Sequence, residues 1–158
     1  MSQDIPPGYK LESQLIYGKS QSHPGLFEIK FHNPKKKNAI GTPPEKLLTE
    51  LVKQAEEDND IKVILLHGGK YFSSGNDISL FIKSGDPDEK KAAAKYGVQK
   101  VMVDMLFALC FCKKPIVAVV RGAALGIAFT LLSHVTLVYV APDVKMRTPF
   151  MESGQSPE

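Results

Sequence analysis

Apolar residues along the chain fall into short runs cut by glycine-bearing turns, with two amphipathic stretches between them. Residues 61–67 (IKVILLH) and 115–120 (PIVAVV) are continuous and rich in β-branched side chains, the pattern of strands buried on both faces. Residues 11–18 and 26–32 flank the turn-rich KSQSHPG and read as the two strands of a hairpin. Residues 135–140 and 144–148 read as two more strands, divided by the turn Ala141-Pro142-Asp143. Helical spacing governs Leu47, Leu48, Leu51, Val52 and Ala55, which share one face. Thr42-Pro43-Pro44-Glu45 opens that helix, with Thr42 expected as N-cap, proline at the first position and Glu45 at N3. A second helix is expected from Asp88 to about Cys112, with Val98, Val101, Met102, Met105, Leu106 and Leu109 as its core stripe and Gly97 as a weak point. Strands alternating with helices place the chain in the α/β class.

Two of the buried strands empty into glycine turns. The first turn is Gly68-Gly69-Lys70-Tyr71-Phe72-Ser73-Ser74-Gly75-Asn76-Asp77, followed by a short amphipathic turn at 78–82 that Asp77 could cap. The second is Arg121-Gly122-Ala123-Ala124-Leu125-Gly126, after which 127–132 has helical spacing. A strand, a glycine turn and a helix start leave backbone N–H groups without partners, a setting that suits a developing negative charge. Close packing at a buried corner accounts for the same glycines, and the residues alone leave both readings open.

Composition narrows the classes. The 158 residues and net charge of +3 fit one domain and give no argument for nucleic acid, while a small anionic ligand is compatible. No apolar run reaches the roughly 20 residues of a membrane span, and MSQDIPPGYK shows neither a signal nor a transit pattern. Residues 1–10 read as a flexible lead-in and 11–158 as one core. Cys110 and Cys112 are too close for an ordinary bridge and lack metal-site spacing. His23, His32, His67 and His134 are scattered, no metal site is expected, and no P-loop, Gly-x-Gly-x-x-Gly or Gly-x-Ser-x-Gly motif occurs. Ser73 and Ser74 have no base nearby in sequence, so triad hydrolysis lacks support.

Four ordered segments, NPKKKNAI (33–40), KYFSSGNDI (70–78), RGAALGI (121–127) and TPFMESGQSPE (148–158), resemble the signature segments of the crotonase, or enoyl-CoA hydratase/isomerase, superfamily. Within it, HNPKKKNAI with TPF...GQSPE most resembles the monofunctional Δ3,Δ2-enoyl-CoA isomerases. The resemblance implies an α/β fold of the crotonase ββα-spiral type, here ending before the C-terminal helical region. It also implies an acyl-CoA thioester as substrate, with coenzyme A entering as part of it and no separate cofactor. By motif, the amides of Asn76, after Gly75, and Ile127, after Gly126, would form an oxyanion hole for the thioester, and Glu158 would move the proton from C2 to C4. The positions of the two hydratase glutamates carry Thr130 and Phe150, which argues against water addition. Glu152 is a rival carboxylate, more simply read as a solvated charge.

The coenzyme A end would lie along Lys35, Lys36, Lys37 and Ala39 and the edge Ser73-Ser74, with Asp77 and Ile78 beside the acyl group. A homotrimer, or a place in a larger complex, and a peroxisomal or mitochondrial location belong to the same implication. A chain stopping at Glu158 is expected to hold that base on a frayed end beside an α-carboxylate, and so to be weak or inactive alone. The alternative is a non-catalytic crotonase-like subunit that is structural or binds acyl-CoA; the signatures expected for thioester hydrolysis or dehalogenation are missing.

Overall fold

The computed structural model describes residues 5–77 and 97–153. Eight strands are present among them: β1 (Lys10–Glu12), β2 (Leu15–Lys19), β3 (Leu26–Phe31), β4 (Val63–His67), β5 (Ile116–Val120), β6 (Ala123–Leu125), β7 (Leu137–Val140) and β8 (Lys145–Arg147). The helices are α1 (Thr42–Glu57), α2 (Val103–Phe111), α3 (Ile127–Thr130) and α4 (Phe150–Ser153). A π-helical stretch, Gly97–Met102, leads into α2, and 3-10 turns occupy Pro34–Lys36 and Leu131–His134.

Six strands form one sheet in the order β1-β2-β3-β4-β5-β7. Pairing is antiparallel through β1, β2 and β3 and parallel from β3 to β7. β6 and β8 make a separate parallel pair. Alternation along β3, β4 and β5 sends Phe27, Ile29, Phe31, Ile64, Leu66, Ile116, Ala118 and Val120 into the core. There they meet Leu47, Leu48, Leu51, Val52 and Ala55 of α1 and Met105 and Leu109 of α2, the stripes that the helical spacing predicts. The α/β expectation therefore holds. No helix among the described residues is long and apolar enough to cross a membrane.

Several boundaries differ from the sequence reading. The strand expected at 11–18 is broken by Ser13 and Gln14, both at positive φ (44° and 65°), into a tight hairpin of β1 on β2. Neither residue is a usual left-handed former, so the pattern gave no warning. The expected hairpin across 20–25 is present as β2 on β3. Lys10, placed in the lead-in, is the first residue of β1, and the Gln21 side chain donates to the Pro7 carbonyl at 2.9 Å. Gly41, extended at φ −129°, replaces Thr42 as the cap of α1, so Pro43 falls at the second helical position. The Glu45 N–H donates to the Gly41 carbonyl at 3.1 Å. The three-residue strand β6 was expected to be turn, and α4 stands where no element was expected. Residues 78–96, covering the turn at 78–82 and the first part of the helix expected from Asp88, lie outside the described residues.

Candidate functional site

β4 and β5 are parallel neighbours, with His67 in register with Val119. Their exits therefore lie side by side, and the two glycine turns fold against each other. Phe72 N–H donates to the Arg121 carbonyl at 2.9 Å and Ser73 N–H to the Ala123 carbonyl at 3.0 Å. Leu125 N–H returns a bond to the Ser73 carbonyl at 3.2 Å, so Ser73 pairs with Ala124 in parallel register. Phe72, fully buried and edge-on to Phe31 at 5.4 Å, anchors the first turn to the core.

On its other side the same segment pairs with the chain before α1. Ile40 N–H donates to the Gly75 carbonyl at 2.8 Å, and Asp77 N–H donates to the Ile40 carbonyl at 2.7 Å. Ser74 N–H and hydroxyl bond the Lys37 and Lys36 carbonyls at 3.0 and 2.9 Å. A trans peptide unit points its C=O and the following N–H in opposite directions. Because the Gly75 carbonyl faces Ile40, the Asn76 N–H faces away from it, toward the side on which residues 123–126 lie.

The second turn fixes its own peptide plane. Gly126 N–H donates to the Arg147 carbonyl of β8 at 2.9 Å, while its carbonyl accepts from Phe129 and Thr130 at 2.8 and 3.1 Å. The Ile127 N–H is thereby turned back off the start of α3. Neither the Asn76 nor the Ile127 N–H has an acceptor among the described residues. Ile127 lies as far beyond Ala124 as Asn76 lies beyond Ser73, so the two free donors occupy matching places past one parallel bridge.

Two glycines make this possible for different reasons. A Cβ on Gly75 (φ +90°) would stand 2.6 Å from the Leu125 carbonyl oxygen, so the close approach of the turns needs a bare α-carbon. A Cβ on Gly126 would meet nothing within 4 Å, and its requirement for glycine is conformational, at φ 54° and ψ −127°.

The predicted site residues are thus only partly gathered. Asn76, Ile127, Gly75, Gly126, Ser73, Ser74 and Ala39 lie on or beside the two turns, with Ser73 buried and its hydroxyl accepting from Gly75 N–H at 3.0 Å. The three lysines diverge. Lys36 Nζ is 2.6 Å from Asp77 Oδ2, Lys37 Nζ sits 5.9 Å from the Tyr71 ring centre, and Lys35 is exposed. Ala39 N–H is engaged by the Lys36 carbonyl at 3.1 Å. Thr130 donates its hydroxyl to the Ile127 carbonyl at 3.3 Å, and Phe150 opens α4. Glu152 is exposed and ion-paired with Arg147. Ile78 and Glu158 lie outside the described residues.

Beyond Ile127, an open apolar groove of about 880 Å³ runs between α2, α3 and β7, lined by Leu106, Phe107, Phe111, Phe129, Val138 and Met146. Helix α2 supplies one of its walls. At the end of β4, burial pushes the His67 imidazole below its ordinary pKa; Glu28 opposes that shift and Lys30 adds to it. Sequence reasoning missed two supports of the site, the Ile40 pairing that orients Asn76 and the Arg147 carbonyl that holds Gly126. Neither carries a side-chain signal, since both act through the main chain.

Known proteins resemble this chain in sequence and fold. The family described as enoyl-CoA hydratase/isomerase matches residues 21–158. Human "Enoyl-CoA delta isomerase 2" is 40% identical over 141 residues, covering 87% of this chain and 34% of that protein. Mouse "Enoyl-CoA delta isomerase 3, peroxisomal" is 33% identical over 139 residues, covering 87% of this chain and 42% of that one. The crystal structure of an enoyl-CoA hydratase/isomerase from Pseudoalteromonas atlantica T6c superposes with a TM-score of 0.74 at 28% identity, over 92% of this chain and 53% of that chain. The chain thus spans less than half the length of these two isomerases and about half of the solved structure. With a matching family over most of its residues and a crotonase fold around two adjoining glycine turns, the chain belongs to the enoyl-CoA hydratase/isomerase family.

Proposed function

We propose that this chain carries the thioester site of a Δ3,Δ2-enoyl-CoA isomerase acting in fatty acid β-oxidation. The observation that carries the reading is the pair of N–H groups on Asn76 and Ile127 that have no acceptor among the described residues, set at matching places past the Ser73–Ala124 bridge. Removing a proton from C2 of a 3-enoyl-CoA moves its electron pair toward the thioester oxygen. Donors already fixed where that charge grows stabilise it without reorganisation, each by roughly 10²–10³ in rate. Glu158 takes the C2 proton and returns it at C4, so the double bond moves into conjugation and the carboxylate is regenerated. No redox step or separate cofactor is needed, because coenzyme A arrives with the substrate. The absence of carboxylates at Thr130 and Phe150 favours isomerisation over hydration.

Lys35 and Lys37 lie in the 34–40 segment that pairs with Ser74 and Asn76, a position suited to the nucleotide phosphates as point charges. The likeness to a peroxisomal relative supports a peroxisomal location, with a mitochondrial one equally compatible, and a trimer is the assembly the family resemblance suggests. A non-catalytic acyl-CoA-binding subunit is the competing reading.

The test follows formation of the conjugated enoyl thioester by absorbance, together with calorimetric binding of a saturated acyl-CoA, for this chain, a version extended past Glu158, and the Glu158→Gln variant of whichever turns over. Loss of about 10²–10⁴ in kcat by Glu158→Gln, with acyl-CoA affinity retained, is expected. Undiminished turnover by that variant overturns the assignment of the base. Binding without turnover in either length selects the non-catalytic reading.

A further inference from the structure

Asn38 is buried, with 6% of its surface exposed, and holds a left-handed backbone at φ 59°. Its side-chain carbonyl accepts from Asn33 N–H at 2.8 Å, and its own N–H donates to the Asn33 carbonyl at 2.8 Å. These bonds close the 33–38 turn and fix which way the amide group faces. The side-chain NH₂ then reaches across to the first glycine turn. It donates to the Gly68 and Tyr71 carbonyls at 2.8 and 2.7 Å, with the Phe72 carbonyl at 3.3 Å.

One amide therefore grips both segments that set the Asn76 peptide. Two residues after Asn38, Ile40 brackets Asn76 from one side. The carbonyls it binds end one residue before Ser73, which pairs with the second turn. Losing the donors would leave buried carbonyls unsatisfied and free the two segments to shift against each other. We infer that Asn38 is a positioning residue, whose side-chain amide locks residues 33–40 to the Gly68–Phe72 carbonyls and so aims the Asn76 N–H at the thioester oxygen. The inference rests on the thioester reading above and adds to it a residue that touches neither substrate nor reacting atoms.

The test uses the protein in the length that binds acyl-CoA, with a conjugated aryl-acryloyl-CoA whose absorption moves to the red when its carbonyl is polarised. Asn38→Gly keeps the left-handed backbone and removes the amide. It is expected to lose most of the red shift while the dissociation constant changes by no more than about threefold. In a protein that turns over, kcat is expected to fall about 10–100-fold with little change in KM, as for misplacement of a reacting group. Asn38→Asp keeps the shape, and its buried acid, facing carbonyls, gains a donor when protonated. Its red shift is expected to recover partly as pH is lowered, which wild type does not show. A wild-type red shift retained in Asn38→Gly overturns the inference, as does a pH-independent Asn38→Asp or loss of folding by both variants. A wild type that binds the probe with no red shift instead overturns the thioester reading itself.

Discussion

At the Asn76 turn the N–H is aimed mainly by partners distant in sequence, the Ile40 main chain, the Asn38 amide and Lys36 through its ion pair with Asp77, with the Ser73 hydroxyl as a local brace on Gly75 N–H. At the Ile127 turn it is aimed by the chain's own next turn of helix, through the Gly126 carbonyl, with one outside bond that Gly126 N–H donates to the Arg147 carbonyl. The same kind of donor thus comes from a stitched loop in one case and a self-contained helix start in the other. A stitched loop can be loosened from many remote places. A helix start is disturbed mainly by changes within it.

The largest expected effect separates the two glycines. Gly126→Ala introduces backbone strain alone, about 1–3 kcal/mol, since its Cβ would enter open space. Gly75→Ala adds to comparable strain a methyl 2.6 Å from the Leu125 oxygen, so the turns must part. Chemical denaturation is expected to rank Gly75→Ala as the more destabilising by at least about 1 kcal/mol, a typical cost of forced overpacking. The reverse order would mean that the turns do not press on each other at Gly75.

A smaller effect is expected from the ion pairs beside each turn. The Asp77 side chain is 14% exposed and its Lys36 partner 45%, whereas Arg147 and Glu152 are 64% and 58% exposed. Solvent screening keeps either contribution small, about 0–1 kcal/mol, and least where both partners are exposed. Asp77→Asn is therefore expected to destabilise measurably and in a salt-dependent way, with Glu152→Gln within error of wild type. Equal effects in denaturation at low and high salt would remove the distinction between a stitched and an unstitched turn.

Much of this comparison could be read from the residues, and the part that could not has a physical cause. The stripes Leu47–Ala55 and Met102–Leu109 and the runs feeding both turns were legible because burial imposes their periodicity. The glycines announced the turns, and four matched segments gave the family. The hairpin at Ser13 and Gln14 was hidden because residues without left-handed preference adopt positive φ there. Gly41, in extended backbone, displaced Thr42 as the helix cap, and Thr42 became the first helical residue. The free N–H directions were invisible in principle, since they depend on which carbonyls a folded neighbour occupies. Lys36 illustrates the same limit: the sequence offers three equivalent lysines, and among the described residues one of them meets a carboxylate, that of Asp77.

The smallest expected effect concerns pH, and it acts on one turn only. His67 ends the strand that feeds the Asn76 turn, in register with Lys30 on one side and Val119 on the other. Burial lowers its pKa in the folded state, with Glu28 opposing and Lys30 reinforcing the shift. Below the ordinary imidazole value of about 6.5, the unfolded chain binds more protons than the folded one, so stability there rises with pH. The contribution is complete above that value, is lost as pH falls through the folded pKa, and levels off below it. The strand feeding the other turn has no titratable side chain from Ile116 to Val120. Amide hydrogen exchange, corrected for its intrinsic pH dependence, is therefore expected to show residues 68–76 losing protection below about pH 6.5 sooner than residues 121–127, and His67→Gln should flatten that loss. Parallel loss in both segments would show that the turns open as one unit, and that the bonds between Ser73 and the Ala123–Leu125 strand outweigh the differences in how each turn is held.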